Sequence, residues 1–125
     1  MEDFVNFELA KKLKEKGFDE ACYNYYEPLK HCLSELKTQF TNKEGEYYGI
    51  ITAPTISQVL KWLRKEKKLY VGVTYSPKIE GSQDFFYATI QYIGDYKKTI
   101  YPDDSYDNWE EAALNGVNYC LENLI

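Results

Sequence analysis

The groups in this chain best suited to covalent chemistry are three thiols and one imidazole: Cys22, Cys32, Cys120 and His31. A cysteine nucleophile needs a base within hydrogen-bond reach, and Cys22 or Cys32 with His31 is the pairing to consider. Nothing around these residues follows a protease or redox pattern. A lone histidine is more often a surface or packing residue than a catalyst. The cysteine spacings match neither a zinc site nor a CxxC motif, so we expect reduced thiols buried as packing groups. The 7 glycines are dispersed, which leaves no glycine-rich loop for a phosphate. The run Asp103-Asp104-Ser105-Tyr106-Asp107 invites a divalent-metal reading, but the glycine and glutamate positions of an EF-hand are not met. Carboxylates at a helix start, facing the positive end of its dipole, explain the run better. We therefore expect no catalytic set, no metal and no cofactor, and a protein that is not an enzyme.

Charge offers a different kind of site. Lys61, Arg64, Lys65 and Lys68 recur at helical spacing, while from Glu80 onward acidic residues outnumber Lys97 and Lys98. A basic face on an acidic chain could contact an acidic partner or nucleic acid, and these four residues are the candidate interaction surface. The net charge of −5 argues against general nucleic-acid binding, since phosphate neutralisation needs a basic surface. The 13 tyrosines suit half-buried sheet faces and also binding surfaces, because the ring is apolar and its tip is wet.

The elements that must position these groups are signalled locally. At 125 residues we expect a single domain with its own core. The start Met1-Glu2-Asp3 lacks the pattern of a signal peptide, and no apolar run is long enough for a membrane span, so we expect a cytoplasmic protein. Asn6 can cap a helix over 6–16 that Gly17 ends, with Phe18 folding back on Leu13. A strand follows over 20–26. Residues 31–38 fit a second strand as well as a helical turn, and we expect the strand. Then come a polar turn over 41–46 and a short strand or extended connector over 47–52. Thr55 and Gln58 form a capping-box pattern ahead of Ile56, Val59, Leu60 and Leu63, one apolar helical face. Trp62 flanks that face as a lid over the core edge. The period then becomes two: strands over 69–75 and 84–93, a loop over 76–82 between them, and a Gly94-Asp95 turn of II′ type into 96–101. A last helix carries Trp109, Ala112, Ala113, Gly116, Val117, Cys120, Leu121 and Leu124 on one stripe, capped by Ser105 or Asp107. Gly116 on that stripe costs about 1 kcal/mol against alanine, which suggests a close approach there. The expected architecture is α+β: one antiparallel sheet of about four or five strands against two main helices, with an additional N-terminal helix.

Residues 4–18, the pairs Cys22-Tyr23 and Tyr25-Tyr26, the helix over 53–67 with its Lys61-Trp62-Leu63-Arg64 centre, and the closing helix over 105–124 together carry a resemblance. The chain resembles small uncharacterised proteins of Bacteroides-group bacteria and their phages and prophages. Residues 28–45 and 77–83 lie outside the likeness. A looser likeness, in element order, is to the phage αβα-sandwich domain. The resemblance implies a phage or prophage origin and no established activity, so it assigns no functional residue. The expectation is a small interaction or accessory protein acting by surface binding, with protein as its partner. The alternatives are a nucleic-acid-binding protein using the basic helix face, or an acidic nucleic-acid mimic that blocks a host protein.

Overall fold

The computed structural model describes residues 3–29, 31–77, 81, 83–102 and 104–125, with Tyr96 and Lys97 described by their backbone alone. Glu80 and Asp103, counted above among the acidic residues, lie outside the described residues, as does most of the loop over 76–82. The chain divides into two compact units, Met1–Gln58 and Val59–Ile125.

In the first unit α1 (Phe7–Glu15) starts where Asn6 accepts the Leu9 N–H at 2.9 Å. It ends at Gly17, whose φ of +90° sits in the left-handed region open to glycine. Phe18 then donates its N–H to the Leu13 carbonyl at 2.9 Å, and both side chains are buried. The strands β1 (Cys22–Tyr26), β2 (Leu33–Phe40) and β3 (Ile51–Thr52) form an antiparallel sheet in the order β2-β1-β3. Tyr26 faces the core, and its hydroxyl donates to the Val5 carbonyl at 2.7 Å.

The stretch over 41–46 departs from the expected polar turn. It holds α2 (Asn42–Gly45) followed by a 3-10 turn, Glu46–Tyr48. The cause is a capping box: Thr41 Oγ1 accepts the Glu44 N–H at 3.3 Å, and Glu44 Oε1 accepts the Thr41 N–H at 3.0 Å. Asn42 is buried behind it and ties two segments together. Its Nδ2 donates to the Phe18 carbonyl at 2.7 Å, and its Oδ1 accepts the Thr52 N–H at 2.8 Å.

The helix α3 (Ile56–Glu66) begins with the expected box, Thr55 and Gln58 exchanging bonds of 2.9 and 3.1 Å. Val59, Leu60, Leu63 and also Trp62 are buried, so Trp62 belongs to the core rather than to its edge. The second unit continues with β4 (Leu69–Ser76), β5 (Phe85–Tyr92) and β6 (Asp95–Ile100), antiparallel in the order β4-β5-β6. Register places Leu69, Val71, Val73 and Tyr75 opposite Tyr92, Ile90, Ala88 and Phe86, the two alternating faces read from the sequence. The β5–β6 turn lies one residue earlier than expected. Tyr92 pairs with Asp95, so Ile93 and Gly94 form the turn and glycine comes second, with φ +94°.

Against the sheet lies α4 (Trp109–Tyr119), continued by a wider π-helical turn, Cys120–Leu124. Its cap is Asn108, neither Ser105 nor Asp107: Asn108 Oδ1 accepts the Glu111 N–H at 2.8 Å. Tyr106 is held upstream by a backbone bridge to Phe86, with bonds of 2.7 and 2.8 Å, which delays the helix start. Gly116 makes the close approach that its cost implied. A Cβ there would stand 2.6 Å from Val71 Cγ1 and 3.0 Å from Ala88 Cβ.

The α+β class therefore stands, but the single sheet of four or five strands is corrected to two three-stranded antiparallel sheets. Both edges of β1 are taken by β2 and β3, while β4 to β6 pair among themselves through successive antiparallel connections. Among the described residues no helix is long and apolar enough to cross a membrane.

Candidate functional site: an aromatic cleft with two carboxylates

The chemically suggestive groups go to separate environments. Cys22 is buried, and its thiol contacts the Glu20 carbonyl oxygen at 3.6 Å. Burial, chiefly, pushes this thiol up to about 11, and burial pushes Cys120 up to about 12. A thiol held protonated in this way is a poor nucleophile at neutral pH. His31 is exposed with a φ of +54°, its ring stacked on Phe7 at 3.9 Å between centroids. Cys32 corrects the expectation of three buried thiols, because it lies exposed in the β1–β2 connection. Brief alkylation near neutral pH should therefore label Cys32 first, with Cys22 and Cys120 reacting after denaturation, as peptide mass spectrometry would show. Equal labelling of all three in the native protein would contradict the burial described here.

The two raised thiols also fix a pH dependence. The folded chain holds their protons more tightly than the unfolded chain, where the ordinary value is 9.0. Their contribution is present below that value and is lost as pH rises toward 11 and 12. The urea midpoint should fall over this alkaline window, and fall less in a Cys22→Ala/Cys120→Ala variant.

The acidic run over 103–107 is split: Asp104 and Asp107 are exposed ahead of α4, and the Tyr106 hydroxyl is 3.4 Å from Asp104 Oδ2. Among the described residues no group of three or more His, Cys, Asp or Glu side chains is placed to hold a metal ion. Lys61, Arg64, Lys65 and Lys68 are all exposed, three on α3 and Lys68 just past its end with a φ of +56°. Lys67 instead lies over the Trp62 ring, its ammonium 5.4 Å from the ring centroid.

A concavity of another kind lies elsewhere, in the first unit. A cleft of about 780 Å³ opens on the first unit's sheet, within the range of ligand sites. Its origin is a mismatch between strands. Asn24 pairs with Glu35 and Cys22 with Phe40, so two steps along β1 are matched by five along β2. The surplus residues, 36–39, have no registered partner on β1 and are exposed. Leu36, Thr38 and Gln39 of this arch line one side of the cleft; Glu44, Tyr48, Gly49 and Ile50 line another. Tyr25 and Phe40 belong to the same lining and meet edge to face, 6.0 Å between centroids at 74°. Pro28 and Leu29 border it from the β1–β2 connection, with Leu29 99% exposed. Tyr48 is 73% exposed and packs edge to face on Tyr47 at 5.0 Å.

Two carboxylates, Glu27 and Glu44, lie among these rings and aliphatic groups. Glu44 is held in place by the capping box through Oε1. The remaining lining groups are uncharged. A shallower depression in the second unit, about 460 Å³ beside Tyr70, Gln91, Tyr92, Ile93 and Gly94, carries no charge.

The sequence reading missed this cleft, although one signal was present. Thr41 followed by Glu44 is the same box pattern recognised at Thr55, and it announces the short helix that forms one wall. No protein-family model, curated protein or solved structure matches the chain.

Proposed function

We propose that this chain is a small interaction protein that works in the cytoplasm by binding a partner protein on its surface. One observation carries the reading: the cleft of the first unit leaves Leu29, Leu36 and Tyr48 open to solvent around a lining of rings and aliphatic groups. Clustered apolar exposure of this kind marks contact surfaces more often than chance. The resemblance of the chain's two ends and its central helix to phage and prophage proteins supports an origin in a mobile element. The test compares affinity capture from a bacterial lysate by the wild-type chain and by a folded Leu36→Ser/Tyr48→Ser variant. A partner retained by the first and lost by the second is the expected result. Identical captured sets would remove the cleft as the contact.

A second reading rests on the exposure of Lys61, Arg64, Lys65 and Lys68 together. This is a nucleic-acid contact through the basic side of α3. Fluorescence anisotropy with single-stranded and duplex oligonucleotides decides it, since phosphate contacts weaken steeply with salt. No binding at low salt ends that reading.

A further inference from the structure

We infer that the open face of the β4-β5-β6 sheet receives the unpaired bases of a single-stranded nucleic acid. The inference deepens the second reading above, a contact through the basic side of α3, and rests on it. Three observations lead to it.

The first is a ring laid along the sheet. Register puts Tyr70, Gly72 and Thr74 of β4 on one face with Gln91, Thr89 and Tyr87 of β5. The other face is the one α4 packs against, where Leu69, Val71, Ala88 and Ile90 are buried. Side chains on a strand ordinarily stand off the sheet. Tyr70 leans along it instead: its Cε1 lies 3.2 Å from where a Cβ on Gly72 would stand. The ring thus rests over a glycine, and the residue is still 46% exposed. Phe85 and Tyr87, with centroids 6.0 Å apart, form a second aromatic group on the same face, about 13 Å along the strands. Rings of this kind take up nucleobases by stacking, whatever the sequence. In a duplex both faces of a base are already covered by its neighbours, so such a platform selects unpaired strands.

The second is a hydrogen-bonding edge beside the ring. Gln91 stands opposite Tyr70, and its Nε2 donates to Thr99 Oγ1 at 3.2 Å. That bond leaves the Gln91 Oε1 as an acceptor and the Thr99 hydroxyl proton as a donor. They border the shallow depression of about 460 Å³ that Tyr70, Gln91 and the Ile93-Gly94 turn help to line. The edge of a base carries donors and acceptors that match such a pair.

The third is charge. Lys61, Arg64, Lys65 and Lys68 belong to the same unit as this sheet, and none forms an ion pair with another described residue. Glu66 is the one carboxylate in α3. Lys68 leads directly into the platform, because its carbonyl accepts the Ile93 N–H at 2.8 Å and so sets it in register two residues ahead of Tyr70. Asp95, the carboxylate of the adjoining turn, is already engaged within the fold. Phosphates flanking a base stacked on Tyr70 would meet the cations of α3 and Lys68. The net charge of −5 confines such a contact to this patch.

Fluorescence anisotropy of the intact chain tests this at low salt, with oligothymidine and oligouridine of about ten nucleotides and a duplex of the same length. The single strands should bind roughly tenfold or more tighter than the duplex. Tyr70→Ala should weaken single-strand binding roughly tenfold, and Tyr70→Phe, which keeps the ring, should leave it unchanged. Lys68→Gln should weaken it and lower the salt dependence by the share of about one phosphate. Amide-resolved NMR of the wild-type chain makes the test independent of how any variant folds: oligothymidine should shift Tyr70, Gly72, Gln91 and Thr99. Duplex binding as tight as single-strand binding, with those resonances unmoved, would overturn the inference and leave the α3 contact standing. Absence of binding by every oligonucleotide would overturn both. Shifts at Tyr70 and Gln91 with cellopentaose, and none with the oligonucleotides, would overturn it in favour of an uncharged saccharide.

Discussion

Replacing Asn42 with alanine will destabilise the Met1–Gln58 unit by about 2–5 kcal/mol. Asn42 is 4% exposed, and its amide satisfies the Phe18 carbonyl and the Thr52 N–H at once. Both partners belong to residues that are themselves buried, so water cannot readily replace the lost bonds. Each stranded group costs on the order of 1–3 kcal/mol, well above the net worth of one ordinary hydrogen bond. Asn42→Asp is the sharper control. Its carboxylate can still accept from Thr52, but it sets a negative charge against the Phe18 carbonyl. The measurement is amide hydrogen exchange of β1 and β3 together with urea unfolding followed by circular dichroism. A loss below about 1 kcal/mol would mean that the two groups find other partners.

The second large effect runs against helix propensity. Alanine at position 116 should stabilise α4 by about 1 kcal/mol on propensity alone, yet Gly116→Ala should destabilise the Val59–Ile125 unit. The added methyl would stand 2.6 Å from Val71 Cγ1 and 3.0 Å from Ala88 Cβ. Val71 is 5% exposed and stiff at χ1, and Ala88 can yield only if β5 moves. Overpacking of this kind costs roughly 1–3 kcal/mol, so set against the propensity gain a net loss of up to about 2 kcal/mol is expected. Trp62 and Trp109 both lie in this unit, and their fluorescence reports its unfolding. Val71→Ala should relieve the clash, so the double variant will be more stable than the sum of the single losses. Strict additivity would place the crowding somewhere else.

What the sequence made legible is what local chemistry decides. Asn6, Gly17 and the Thr55–Gln58 pair each act within a turn of their own position, and their roles were as expected. The alternating faces of β4 and β5 were equally local, as was the buried stripe from Ala112 to Leu121, although Trp109 at its head is 40% exposed rather than part of it. Pairing between distant strands was not. Tyr25 meets Thr52 across a connection that includes α2, and nothing near either residue announces that β1 will use both its edges. Asn108 displaced two plausible caps because the Tyr106–Phe86 bridge holds the chain extended just before it. The cleft was illegible for the same reason. It arises from a count mismatch between β1 and β2, which exists only once their register is set. Tyrosine abundance pointed to packing or binding without saying which of the 13 would line a concavity.

That mismatch also bears on what the outer strand of the first sheet can recruit. Indefinite growth of a sheet from an edge requires a donor and acceptor rhythm that repeats from strand to strand. Here the pairing of β2 with β1 breaks after Glu35 and resumes at Phe40, with residues 36–39 bulged between. A bulged strand twists its edge away from flat pairing, so an edge with exposed leucines at 33 and 36 is a poor seed for fibrils.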